Sequence, residues 1–419
     1  MSVIMPHPVD HTVLGERPPK HSPASLARGL FAGINAVINS LRLFFFFAVF
    51  LTDVVGMFIV HAVLSLGLKW VSPRGYRRVQ CFFESLFARI MLSLVHFIAG
   101  GNIYLHLPAI DDPAHGSTLA KFQGIFENLH APPAFPATED DILISNHQIY
   151  SDWVYLWSLM DVIGRAGDVK IIMKRSLRAV PVFGWAMRFF NFVFLRRKWE
   201  HDRAHFHKRL RTFGDSDFSF CLIIFPEGTT LTKASLAKSH AFAQKSEARE
   251  TQHVLLPRVL GVWEAIKGLQ MAERVDGIYD ITVGYSGLAA DDEPERVFTL
   301  PNLFYRGMAP KETHFHLTYI PIKEIPTENI EDFSQWLRDR FYRKDEMLKV
   351  FYERNGTATF NDVNIEAPFP NTSRSMKRPL CPFWYFPMAL AIFCVSCYSF
   401  YLYYRLLVNI VRGIFIAFT

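Results

Sequence analysis

Cysteine is scarce in this sequence, with five in 419 residues, and the five form no paired framework. Most lie in apolar runs, where a thiol acts as a small hydrophobe. Cys394 and Cys397 have C-x-x-C spacing, but they sit inside an apolar stretch with no second pair to complete a zinc or redox motif. A disulfide scaffold is excluded, and a reducing, cytosol-facing setting is expected. Nucleic-acid motifs are also missing. The 45 Lys and Arg against 39 Asp and Glu give a net charge of +6, yet the basic residues are dispersed and form no RNP, helix-turn-helix or zinc-finger pattern. Nucleic acid is set aside as a partner. No nucleophile elbow is present, because the second glycine of Gly284-Tyr285-Ser286-Gly287 comes one residue early for G-x-S-x-G. That stretch reads as a strand-end turn. His201, His205 and His207 are crowded by Arg203, Lys208, Arg209 and Arg211, which repel a cation, so they read as a solvated helix face and no metal is expected. There is no internal repeat and no cleavable signal pattern.

Apolar and aromatic residues are abundant. Aromatics reach 15% with 39 Phe, and mean hydropathy is +0.12 with a pI near 9.0. The apolar excess is concentrated at the two ends, which points to membrane insertion and not to a larger core. Residues 1–28 are rich in Pro, His and Ser and are expected to be disordered. Leu41 to Leu68 is almost continuously apolar and long enough to span a bilayer. Asp53 inside it requires a tilted, re-entrant or helix-packed placement. Lys69, Arg74, Arg77 and Arg78 follow, suited to anionic headgroups. Phe82 to Ile98 is amphipathic and carries Glu84, Arg89 and His96, as an interfacial helix would. Leu380 to Tyr404 and Leu406 to Phe418 are further apolar stretches. Asn355 and Asn371 stand in N-glycosylation sequons, read as accidental matches on a cytosolic loop.

The middle of the chain alternates β-branched runs with helical patterns. The runs are 142–145, 169–173, 192–195, 220–225, 254–256, 281–285 and 315–320, and Gln335 to Phe351 reads as a charged amphipathic helix. This predicts an α/β layered sandwich around a mostly parallel central sheet, flanked by N- and C-terminal membrane helices. Its centre is Asn146-His147-Gln148-Ile149-Tyr150-Ser151-Asp152-Trp153, between a buried strand and a helix with Ser151 as its N-cap. The five-residue step lets the Asp152 carboxylate fold back onto one imidazole nitrogen of His147 and leave the other as a base. This is two-thirds of a serine-protease triad without its serine, so the substrate would bring the hydroxyl. Such pairs also merely satisfy turns. What distinguishes this one is Phe225-Pro226-Glu227-Gly228-Thr229-Thr230 after a second buried strand, where free backbone N–H groups would cradle an anion at the same sheet edge.

These blocks resemble the glycerolipid acyltransferase family, the acylglycerol-phosphate and lysophospholipid acyltransferases. N-H-x4-D comes first and F-P-E-G-T third. Between them stand Val182-Phe183-Gly184-Trp185 and Phe192-Val193-Phe194-Leu195-Arg196-Arg197, and Leu255-Leu256-Pro257-Arg258 follows. Trp153, Met173-Lys174, and Ser239 through Phe242-Ala243 are similar to the eukaryotic lysocardiolipin and lysophosphatidylinositol acyltransferase subgroup. The resemblance implies that His147 is the general base and Asp152 its orienting partner. Arg196, and less closely Lys174 and Arg197, would meet the phosphate. Glu227, Gly228 and Thr229 would complete the acceptor pocket beside Pro257 and Arg258. A carboxylate beside a phosphate is repulsive unless it holds a substrate hydroxyl or pairs with an arginine such as Arg196, and the pairing is the favoured reading for Glu227. Acyl-CoA would be the co-substrate, no cofactor is implied, and the acceptor would be lysophosphatidic acid, lysophosphatidylinositol or lysocardiolipin.

The implied organisation is a tail over 1–28, membrane-associated helices over 29–107, the acyltransferase domain over 108–365 and C-terminal membrane segments over 366–419. An endoplasmic reticulum membrane, with the catalytic domain facing the cytosol, fits acyl-CoA as donor. Two other readings stand beside it. One is a transacylase moving chains between phospholipids without acyl-CoA. The other is a non-catalytic membrane lipid-binding protein, whose usual mark, loss of the histidine or aspartate, is not seen here.

Overall fold

A computed structural model describes residues 23–107, 140–353 apart from 182, 215–218 and 271–272, and 374–395 apart from 381 and 383, with a few isolated residues beyond. The Asn355 and Asn371 sequons, residues 1–22, residues 108–139 and most of the chain after Val395 lie outside the described residues, whereas residues 23–28 of the tail expected to be disordered are helical.

Helix α1 (Pro23–Val71) and helix α2 (Pro73–Ala99) are separated at Ser72. The Ser72 hydroxyl accepts the Gly75 N–H at 3.1 Å, and Pro73 starts α2 where a missing N–H costs nothing. Both helices are long and apolar enough to cross a membrane. On α1, Phe46, Val49, Phe50, Val54 and Met57 face inward, and Asp53 is buried with them. This is the helix-packed option for that aspartate. On α2, Glu84 meets Lys170 at 2.8 Å and Arg89 meets Asp161 at 3.1 Å. The charges that made α2 look interfacial are directed at the domain.

Apart from short helical turns at Arg175–Ala179, Pro294–Val297, Leu300–Phe304 and Ile322–Glu324, the remaining described elements are β1 (Asn102–Leu107), β2 (Asp140–Ser145), α3 (Asp152–Val162), β3 (Val169–Lys174), α4 (Phe183–Phe189), β4 (Val193–Leu195), α5 (Trp199–Gly214), β5 (Cys221–Ile224), α6 (Lys233–Lys245), α7 (Val259–Gln270), β6 (Val275–Tyr285), β7 (Glu312–Pro321), α8 (Ile330–Glu353) and β8 (Arg374–Pro379). The strands form one sheet in the order β4-β3-β5-β2-β6-β7-β1-β8. It is parallel except at β6–β7 and β1–β8. All six residues of β2 are buried, as a central parallel strand with both faces covered requires.

At the amino ends of the strands the buried Arg165 guanidinium binds Asp141, Asp168 and the Phe220 carbonyl. That end is closed. The carboxyl ends of β2, β3, β4, β5 and β6 open together on the opposite edge, where parallel sheets place ligands.

Three expectations change. Residues 254–256 are not a strand, because the Leu255 N–H donates to Glu227 and the Leu256 N–H to Ser239, leaving nothing for a ladder. Residues 102–107, grouped with the N-terminal helices, form β1 inside the sheet between β7 and β8. Residues 374–379, a basic stretch grouped with the C-terminal membrane segments, form β8.

Candidate active site

Strand β2 ends at Ser145, and Asn146 extends its pairing with β6. The Asn146 amide accepts the Val283 N–H at 2.8 Å and donates to the Val283 carbonyl at 2.9 Å, so the side chain stands in for one more rung of ladder. His147 follows, and its Nδ1 lies 2.8 Å from Asp152 Oδ2. The imidazole stacks on Phe225, with centroids 4.3 Å apart. Asp152, the first residue of α3, is fully buried. Its Oδ2 also accepts the N–H groups of Gln148 at 2.7 Å and Ile149 at 3.1 Å. Its Oδ1 takes the Tyr285 hydroxyl. Ser151 occupies the N-cap position, but its side chain makes no capping bond. The carboxylate next to it organises the turn instead.

The second turn is tied to the first by Glu227. One oxygen accepts the His147 N–H at 2.7 Å, and the other accepts the Leu255 N–H at 2.9 Å. Burial pushes this carboxyl well above the usual carboxylate range, against the pull of the two backbone donors. The expected pairing of Glu227 with Arg196 is therefore replaced by a backbone clamp joining three of the sequence blocks. The Leu231 N–H adds a bond to the His147 carbonyl at 2.9 Å. Nor are the N–H groups of the two turns generally free to cradle an anion. Gly228 donates to Phe225 O, Gln148 and Ile149 donate to Asp152, and Tyr150 donates to Glu295.

Positive charge at the site comes from side chains. A cavity of about 290 Å³ opens against the imidazole, near the lower end of the range for small-molecule pockets. Ile172, Met173, Leu195, Trp199, Phe206 and Val262 give it apolar walls, and His147, Arg197, Asp202, Gly228 and Arg258 supply polar groups, one of them the Asp202 carboxylate. Gly228 has φ +72°, and a Cβ there would lie 3.1 Å from Arg258 Nε. Only glycine leaves that guanidinium its place over the turn. Gly184 serves the middle block similarly, since a Cβ would meet the Arg178 carbonyl oxygen at 2.5 Å.

Of the residues expected at the site, His147, Gly228 and Arg258 line the cavity, and Asp152 stands behind His147. Arg196 does not line it. Its N–H and that of Lys198 both donate to the Asp202 carboxylate, at 2.9 and 3.2 Å. The loop pinned in this way holds Arg197 at φ +65°; both arginines are exposed, but Arg197 lines the cavity and Arg196 does not. Partial desolvation at the cavity wall, and Arg258 beside it, hold the Arg197 guanidinium below its ordinary pKa. Lys174 is exposed at the end of β3, and Glu227, Thr229 and Pro257 stand outside the cavity wall. Sequence reasoning missed Tyr285, filed under a strand-end turn, and Tyr352, whose hydroxyl lies 3.3 Å from Gln148 Oε1. An aromatic ending a strand beside β2 was the available signal. On α5, His207 meets Glu264 at 3.2 Å, a helix-packing contact.

With this geometry in view, the relatives are informative. A family model described as Acyltransferase matches residues 127–286, and one described as Acyltransferase C-terminus matches 302–386. The chain is 37% identical over 291 residues to an acyltransferase of Schizosaccharomyces pombe described as uncharacterized, covering 70% of this chain and 79% of that one. It is 31% identical over 288 residues to lysocardiolipin acyltransferase 1 of Gallus gallus, covering 69% of this chain and 67% of that one. It is 30% identical over 258 residues to the 2-acyl-1-lysophosphatidylinositol acyltransferase of Saccharomyces cerevisiae, covering 54% and 64%. By these matches the chain belongs to the acyltransferase family and is an O-acyltransferase.

Proposed function

We propose that this chain is an acyl-CoA-dependent lysophospholipid acyltransferase, with His147 and Asp152 as its general-base pair. The acyl group moves from the thioester to a free glycerol hydroxyl of a lysophospholipid. The observation that carries the reading is the His147 ring, held at Nδ1 by a buried carboxylate and flanked by Arg197 and Arg258 on a largely apolar cavity. A lipid with a phosphate needs those three features together. Relatives named for lysocardiolipin and lysophosphatidylinositol support acceptors of that class.

Asp152 accepts only, so it keeps a proton on Nδ1 and leaves Nε2 with its lone pair. The acceptor hydroxyl gives its proton to Nε2 as its oxygen attacks the thioester carbonyl. The C–S bond of the tetrahedral intermediate then breaks, coenzyme A leaves as thiolate, and His147 returns the proton to sulfur. The products are an ester and free coenzyme A, with no acyl-enzyme and no cofactor in the sequence of steps. Arg197 and Arg258 bind phosphate oxygens, and the apolar walls receive hydrocarbon. The catalytic domain faces the cytosol at the endoplasmic reticulum membrane, where acyl-CoA is delivered.

The test is transfer from labelled oleoyl-CoA by the purified protein to lysophosphatidic acid, lysophosphatidylinositol, lysocardiolipin and lysophosphatidylcholine. His147→Ala is expected to lower kcat by about 10²–10⁴. Equal activity in that variant removes His147 from the chemistry. Transfer between phospholipids without any acyl-CoA replaces this reading with a transacylase.

A further inference from the structure

Both oxygens of the Asp152 carboxylate carry donors. Oδ2 faces His147 and two backbone N–H groups, whereas Oδ1 accepts from the phenol of Tyr285. Strand register explains how that phenol arrives. Ser145, the last residue of β2, pairs with Ile281, and β6 continues to Tyr285. At about 3.3 Å per residue this carries the chain roughly 13 Å past the end of β2, to the level of the turn. The Tyr285 ring is fully buried, edge-on to Tyr155 at 5.5 Å and to Phe298 at 6.1 Å. Its own N–H lies 3.4 Å from the Tyr352 hydroxyl. Burial and the neighbouring carboxylate push the phenol well above its ordinary pKa, so it remains a donor across the working pH range.

We propose that Tyr285 is a positioning residue for the His147–Asp152 pair. Its hydroxyl fixes the rotation of the carboxylate so that Oδ2 meets Nδ1, and it draws charge away from Oδ2. This deepens the general-base reading and rests on it. The other titratable groups around Asp152 are Glu227, Glu295, Tyr155 and Tyr352. Glu227 and Glu295 are committed to backbone donors. The Tyr352 hydroxyl is committed to Gln148. The buried Tyr155 hydroxyl has no hydrogen-bond partner among the described residues. It therefore makes a matched control, the same residue type in the same core without the bond.

The experiment compares wild type, His147→Ala, Tyr285→Phe and Tyr155→Phe in acyl transfer from oleoyl-CoA to lysophosphatidylinositol. Both kcat and KM are measured over a pH series and normalised to folded protein. Tyr285→Phe is expected to lower kcat about ten-fold with KM nearly unchanged, the size of one lost bond to a charged group. Without the donor the carboxylate is richer in charge and favours the protonated form of the pair, so the acidic limb of kcat/KM moves to higher pH. Fluorotyrosine at position 285, a stronger donor that keeps the ring, moves the limb the opposite way. Tyr155→Phe leaves it in place. A His147-dependent enzyme whose profile is the same with Tyr285→Phe, apart from a loss proportional to unfolded protein, overturns this inference alone. Wild-type transfer that is indifferent to His147→Ala overturns the general base and this inference together.

Discussion

Asp202 decides which of two adjacent arginines lines the cavity beside His147. Its carboxylate accepts N–H groups on both sides of Arg197, and the loop closed in this way holds Arg197 in the left-handed region, where a non-glycine residue needs such over-determination. Arg197→Ala is therefore expected to raise KM for the phosphate-bearing substrate by about 10–100-fold, the equivalent of about 1.5–3 kcal/mol for hydrogen bonds to a charged group. Arg196→Ala should change it little, and Arg197→Lys should restore only part, because a point charge lacks the planar fork. Steady-state kinetics of the three variants checks this. The contrast also marks what was legible. His147 and Asp152 were readable because their contact spans five residues within one turn. The choice between Arg196 and Arg197, and the backbone role of Glu227, depend on a φ value and on loops far apart in sequence, which no local pattern encodes.

Among the elements, β6 has the most contacts with function. It pairs with β2, ends at Tyr285, and is gripped by α8. The Asp280 carboxylate meets Lys344 at 2.5 Å and Arg340 at 2.7 Å. Burial pushes Asp280 up, but the two cations outweigh it and hold its pKa at about 2. Lys344 is itself buried on α8 and also donates to the Ile281 carbonyl at 2.5 Å. Asp280→Asn leaves that ammonium uncompensated and is expected to cost about 3–5 kcal/mol of stability, read as a lowered denaturation midpoint with the slope unchanged. The β-branched runs announced most of these strands, and the amphipathic pattern announced α8. The 254–256 run misled because its apolar side chains are buried by docking on Glu227 and Ser239 and not by strand pairing. Helix α6, opened by a Thr232–Ser235 capping box, was hidden in a stretch with little apolar periodicity.

At the scale of the whole molecule, α1 has two different sides. One packs on α2 and the domain, and the other exposes Phe44, Ile59, Val63, Leu66 and Trp70. Its 49 residues amount to roughly 73 Å of helix, well over the ~30 Å of a bilayer core. An exposed apolar face of that extent is the kind a lipid surface would cover. The protein is therefore expected to stay with membranes through alkaline carbonate washing, and its release into the supernatant would show that the face is covered by something else. The apolar ends were legible from composition. Their meeting was not, because it depends on β1 pairing with β8, strands more than 250 residues apart in sequence. Phe97 and Phe386 stack beside that pair at 4.4 Å. This closure bears on any attempt to prepare a soluble catalytic fragment. Trimming the chain after residue 365 to discard its greasy end also removes β8, and β1 is left with a row of unpaired N–H and C=O groups. Such an edge invites another copy to add its own strand, so the shortened protein would keep the apolar face of α1 and gain a tendency to self-associate.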